Sequence, residues 1–348
     1  MTPTPATPAP AQTAGALGPL SVTFVSLRTG WVLGSACVTC TLSLLQTRDG
    51  GRTGASLPAP PVSGSRGEVP ALVRFANLDD GWVLGSDLWA THDGGAHWAK
   101  QDLPGSPAQV TDVEAAGGKV HAVGIQTSGP SIVIETSPVH QDAWQASPTK
   151  LPLGAGPIPV GRIVLQGSAG WIIENDRVVV AGARLLNGSW VPWQPPCTRV
   201  GGPATLAASS PRGLVAVCSE GMFGDPPVGV RAYLSADGGL TFRKAPRDLP
   251  LRDLTAAASP APGVIFAAGT DPAGQGAAPR LVANRDGGST WMTVYRGPSE
   301  GAVTELGFTS ATQGVAIQAG PSLQGATLLM THDGGNTWQP VPLTAAGR

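Results

Sequence analysis

Five aspartates head the same short segment: Asp49, Asp93, Asp237, Asp286 and Asp333, each followed by two glycines. Carboxylates can serve as general acids, general bases or metal ligands where they converge on one point. An aspartate ahead of two glycines can instead accept backbone N–H bonds inside a tight turn, with glycine supplying the positive φ. The segment recurs once per repeating unit, which keeps its carboxylates apart, so they read as turn builders. Asp79 and Asp80 form an adjacent pair in another turn, where two other units carry Arg28-Thr29 and Thr312-Gln313. That pair reads as a solvated turn. No two of the five histidines fall at metal-ligand spacing with a supporting carboxylate, and His92 and His332 take one variable position of the segment. Neither a metal nor a cofactor is expected.

The elements that position these residues repeat with a period of about 47 residues. A closing aromatic marks six units at Trp98, Trp144, Trp190, Phe242, Trp291 and Trp338, and Gly54 takes that place in the first. The start of a second strand gives the same count of seven, at Gly30, Gly81, Lys119, Gly170, Gly213, Gly263 and Gly314. Each unit reads as four short strands, with the Asp-Gly-Gly turn between the third and fourth. Apolar runs such as residues 161–165 and 263–267 barely alternate, as strands covered on both faces should. The fold class is therefore all-β, a seven-bladed β-propeller of four-stranded antiparallel blades. The blades are expected near residues 20–55, 70–103, 110–147, 160–194, 203–245, 252–296 and 302–343, within one domain spanning 20–348.

Composition agrees. Charged residues are 13% of the chain, against about 25% in ordinary domains. Gly (48) and Pro (34) are abundant beside 41% hydrophobic residues, which suits a turn-dense β protein better than disorder. Net charge is −1 with no basic stripe, so neither nucleic acid nor an anionic membrane is an expected partner. No apolar run approaches the length of a membrane span. Residues 1–19 begin with a Pro/Thr tract that reads as a disordered tether. Such a tract suits a protein outside the cytoplasm, at a cell surface or in a periplasm, held by an export or lipid-anchor signal upstream of Met1.

The sequence Thr331-His332-Asp333-Gly334-Gly335-Asn336-Thr337-Trp338 resembles the Asp-box, or bacterial neuraminidase repeat, at every position. Residues 91–98 depart at His97, residues 235–242 end in Phe242, and residues 284–291 begin with Asn284. The Gly-Trp-Val-Leu-Gly runs at 30–34 and 81–85 resemble the second strand of photosystem II stability/assembly-factor-like propellers. The likeness spans residues 20–343 and implies seven Asp-box blades. It implies little about activity, because sialidases, sortilin-type receptors, glycanases and assembly factors share the box. Sialidase chemistry wants a tyrosine nucleophile with a carboxylate partner, an acid aspartate and three arginines on the substrate. Here the only tyrosines, Tyr233 and Tyr295, fall in third and fourth strands at the blade rim, and first strands carry Arg74 and Arg162 alone. No Arg-Ile/Leu-Pro segment opens residues 11–35.

Strand order separates two faces. Asp-Gly-Gly turns share one with the first-to-second turns. The other collects the second-to-third loops and inter-blade connections, including residues 37–40, 56–70, 219–230 and 270–279. Arg66, Glu68, Glu220, Asp225 and Asp271 are the charges expected at a recognition surface there. Cys197 with Cys218, and Cys37 with Cys40, lie on that face as expected disulfides of an exported protein. The sequence thus points to a monomeric, non-enzymatic scaffold that recognises a protein or glycan. The alternatives are a carbohydrate-active hydrolase with its acid/base pair in the loops, and a surface protein with no specific ligand.

Overall fold

The computed structural model describes residues 17–36, 41–62, 71–154, 159–176, 178–199, 202–220, 229–272, 278–297, 301–320 and 325–342. They form seven antiparallel sheets of strands consecutive in the chain, six with four strands and one with five, and one short 3-10 turn at Pro196–Arg199. Blade 1 runs Gly18–Phe24, Gly30–Ser35, Leu42–Thr47 and Ala55–Leu57. Blade 7 runs Ala302–Phe308, Gly314–Ala319, Thr327–Thr331 and Gln339–Val341. Gly18 and Pro19, placed in the tether from sequence, already pair with the second strand of blade 1. Blade 3 carries one strand beyond the expected four: Leu151–Pro152 pairs with its third strand, Ser131–Pro138.

Second strands show why the apolar runs do not alternate. Gly81–Leu84 and Gly314–Ala319 are buried at every residue, because blades cover both of their faces. Fourth strands are sheet edges, and two of them, Ala99–Lys100 and Arg243–Lys244, are only two residues long, exposed and charged, which discourages edge pairing. Each seam between neighbouring blades holds one apolar cluster. Between blades 1 and 2 it includes Trp31, Leu44, Val73 and Phe75. Between blades 7 and 1 it includes Val22, Val32, Ile317 and Met330. The ring closes through that packing, with no strand exchanged between the first and last blades among the described residues.

Candidate functional site

The five Asp-Gly-Gly turns share one hydrogen-bond pattern. Asp333 Oδ1 accepts the backbone N–H groups of Asn336 and Thr337, both at 3.0 Å. Asp333 Oδ2 takes the Thr337 hydroxyl at 2.7 Å, and Thr331 Oγ1 accepts Gly335 N–H at 2.8 Å. Gly334 and Gly335 have φ of 71° and 78°, which a side chain would resist. Asp49, Asp237 and Asp286 repeat these bonds. At Asp93 the imidazole of His97 replaces the threonine hydroxyl, 2.6 Å from Oδ2. These bonds hold all five carboxyls below the ordinary aspartate value. Such groups are poor proton carriers near neutrality, and they stand on five different blades. Gly94 N–H also donates to Asp79 O, and Gly334 N–H to Thr312 O, which sets the Asp-Gly-Gly turns beside the first-to-second turns.

First strands bring a second set of ionisable groups together. Arg74 of blade 2 lies 2.6 Å from Glu114 of blade 3 and 3.3 Å from Glu305 of blade 7. Its Nη1 also donates to Ser21 Oγ of blade 1 at 3.2 Å. Glu305 accepts Val22 N–H at 2.8 Å, and Asp112 accepts Ile163 N–H at 3.1 Å. Side chains of one first strand thus cap amides of the next. Burial pushes the Asp112 and Glu114 carboxyls up, against the pull of Arg162 and Arg74. Sequence placed two arginines on first strands; the structure adds Arg252, which opens that of blade 6.

Of the charges expected on the loop face, Glu220 and Asp271 are described, and each is tied into an ion-pair network. Glu220 lies 3.1 Å from Arg231 and accepts the Tyr233 hydroxyl at 2.9 Å. Arg231 also pairs with Asp248. Asp271 pairs with Arg296 and lies 3.7 Å from Arg280, whose Nη1 donates to Pro250 O. The segment from Asp248 to Pro250 joins the two networks into one strip over blades 5 and 6, with Lys244 and Arg296 about half exposed. Cys197 and Cys218 are buried and disulfide-bonded, with Cα atoms 5.5 Å apart. Arg66, Glu68, Asp225, Cys37 and Cys40 lie outside the described residues.

Two arrangements escaped sequence reasoning. Asp80, read as solvated, is 3% exposed. Its oxygens meet His92 Nδ1 and His140 Nδ1, each at 2.6 Å, and Asn77 Nδ2 at 2.7 Å. His92 Nε2 lies 3.3 Å from Asp142. Residues from two blades build this cluster, so no local spacing betrayed it. The second is a groove of about 570 Å³ at the seam of blades 7 and 1, on the Asp-Gly-Gly face.

No protein-family model matches the sequence, and no curated protein matches it significantly. Solved structures do resemble it. One is YCF48 bound to a D1 peptide, with 20% identity, a TM-score of 0.62, and 92% of this chain and 94% of that one covered. YCF48 from Cyanidioschyzon merolae gives 18% identity and a TM-score of 0.59, covering 93% and 97%. The polysaccharide lyase Uly1 gives 10% and 0.61, covering 94% and 91%. A peptide binder and a lyase score alike, so what the chain shares with all three is the propeller fold.

Proposed function

We propose that this chain is a binding propeller that works without chemistry, as an assembly scaffold for a protein partner. The Asp-Gly-Gly turns are Asp-boxes in this reading, and the partner sits on the opposite, loop face. The strip from Glu220 to Arg296 carries the proposal. Its ion pairs fix side chains of both signs across two blades, which limits what ordering costs on binding. The solved YCF48 with a D1 peptide supports a protein over a glycan as partner. The buried Cys197–Cys218 disulfide supports an extracytoplasmic compartment.

Site-specific photo-crosslinking in the source cells tests the reading. A photoreactive residue at Arg296 should capture one protein, and the same residue at Leu240, exposed in the Asp-Gly-Gly turn of blade 5, should not capture it. Capture at position 240 with none at 296 would place the partner on the other face. A fluorogenic glycoside screen tests the hydrolase alternative. Turnover abolished by Glu220→Gln or Asp271→Asn would replace the scaffold reading with an enzymatic one.

A further inference from the structure

Six of the seven seams are covered by a closing aromatic packed on the preceding blade. Trp98 donates its indole N–H to Pro58 O of blade 1, Trp144 to Gln101 Oε1 of blade 2, and Trp291 to Arg247 O beyond blade 5. Trp190 lies edge-on to His121 of blade 3, Phe242 packs with Trp193 of blade 4, and Trp338 with Phe266 of blade 6. At the seam of blades 7 and 1 the position belongs to Gly54, and the nearest atoms that a Cβ there would meet are those of Leu45, at an ordinary 3.5 Å. The groove of about 570 Å³ opens at this seam. Gly95 of blade 2 abuts Leu44 and Leu57, while Gly51 abuts Met330 and Val341. Val341 is thus the counterpart of Leu57, and Pro342, which lines the groove, that of Pro58.

Three further features describe what fits. Leu27 on the groove wall is 55% exposed, an apolar side chain left in water. Gln313, 2% exposed, also lines the groove; its Nε2 donates to Leu27 O, and its Oε1 has no hydrogen-bond partner. Arg28, Arg52 and His332 on the rim are exposed and have no ion-pair partner among the described residues. Asp49, the one acid there, has its carboxylate engaged by Thr47, Arg52 N–H and Thr53. The groove therefore presents an apolar wall and a rim with two arginines, above a buried carbonyl that lacks a donor.

We propose that the seam of blades 7 and 1 docks an aromatic side chain, tryptophan in the first instance, borne beside an acidic residue on an extended segment of a protein partner. The ring takes the place that the closing aromatic holds at the other six seams, and the acidic neighbour meets Arg28 and Arg52. Residues 1–16 and 343–348 contain no aromatic, so neither of these two segments supplies the ring. The inference rests on the reading of this chain as a protein binder, and it adds a contact on the face opposite the loop strip.

The test titrates the peptide acetyl-Gly-Asp-Trp-Asp-Gly-amide into the isotopically labelled full chain and follows backbone amide resonances. The expected result is shifts at Leu27, Gly51, Gln313 and Val341, with binding weakened about tenfold or more when alanine replaces the peptide's tryptophan. Gly54→Trp should fill the seam and weaken binding by about as much. Should Gly54→Trp fail to fold, the shift map and the alanine peptide decide the matter without it. No binding, equal binding of the alanine peptide, or shifts elsewhere would overturn the proposal. So would self-association in sedimentation that Gly54→Trp abolishes, since a second copy would then occupy the groove. Crosslinking at position 296 reads the loop face separately, so either result can fail while the other stands.

Discussion

Arg74 and Glu305 lie 3.3 Å apart although 231 residues separate them, because blade 7 returns beside blade 1 and Arg74 reaches past Ser21 to meet it. The same guanidinium holds Glu114, so one side chain links first strands on both sides of the closing seam. Removing it leaves two partly buried carboxylates without their cation.

Arg74→Met should destabilise the fold by about 1–3 kcal/mol, less than the about 3–5 kcal/mol of a fully buried pair, because both carboxylates keep part of their hydration. Adding Glu114→Gln and Glu305→Gln should recover part of that loss, since the stranded charges go too. Denaturant midpoints of the single and triple variants measure both effects. A single variant as stable as the wild type would show that closure rests on apolar packing alone.

The Asp-Gly-Gly turns should make the protein acid-sensitive. N–H and hydroxyl bonds from Thr337 hold the Asp333 carboxyl at about 2, against an ordinary 3.8, and Asp49 and Asp286 are held alike. A folded value below the unfolded one means that the contribution is complete above the ordinary value and drains away as pH falls toward the folded one. The melting temperature should therefore drop steeply from about pH 4 to pH 2. Asp333→Asn should melt lower than wild type at pH 6 and show a shallower acid slope.

The blade count and turn positions could be read from sequence because the repeat leaves a local signature, an aspartate, two glycines and an aromatic at constant spacing. In the first copy Gly54 replaces the aromatic. Its bonding survives, since Thr47, Asp49 and Thr53 keep the spacing that the hydrogen bonds need. What stayed hidden depends on contacts across the ring. Arg74 with Glu305, and Asp80 with His140, join residues of different blades, which no one-dimensional spacing reports. A turn position for Asp80 suggested solvent, but neighbouring histidines cover it. The groove went unread although Gly54 stood where the aromatic was expected, because its lining joins residues of blades 7 and 1.

The cluster around Asp80 should give the opposite pH signature near neutrality. Burial opposes charge on His92, but its bonds to Asp80 and Asp142 outweigh it and raise the imidazole above its ordinary 6.5. A raised folded value means that stabilisation is complete below pH 6.5 and is lost as pH climbs through the folded value. His140 and Asn77 also face Asp80. Melting temperature should fall from about pH 6 to pH 8 in the wild type, and His92→Gln should flatten that fall. An unchanged slope in the variant would assign the pH response to another group.

The disulfide should matter more for stability than for shape. Cys197 sits in the 3-10 turn between blades 4 and 5, Cys218 in the second strand of blade 5, and 21 positions separate them. Closing a loop of that length contributes about 3 kcal/mol in the chain-entropy model. Cys197→Ser with Cys218→Ser should lower stability by about that amount, while the circular dichroism stays that of the wild type. Non-reduced peptide mapping of protein from its own compartment should recover the two peptides joined. Free, alkylatable thiols at both positions would sink the bridge and the compartment it supports.

The closing aromatics should rank by burial. Trp338 is 8% exposed and packs on Phe266 and Phe308, so Trp338→Ala should cost about 3–5 kcal/mol by leaving an aromatic-sized void. Trp98 and Trp291 are only partly buried and keep an indole bond to the preceding blade, so their alanine variants should cost less. Gly54→Trp runs the comparison the other way. Its Cβ would meet Leu45 at an ordinary 3.5 Å, and the new ring would cover Val341 and Pro342 as Trp98 covers Leu57 and Pro58. The variant should therefore melt above the wild type. A lower melting temperature would show that the seam of blades 7 and 1 is shaped to exclude an aromatic of its own chain, and thermal scans of the four variants at one pH decide the order.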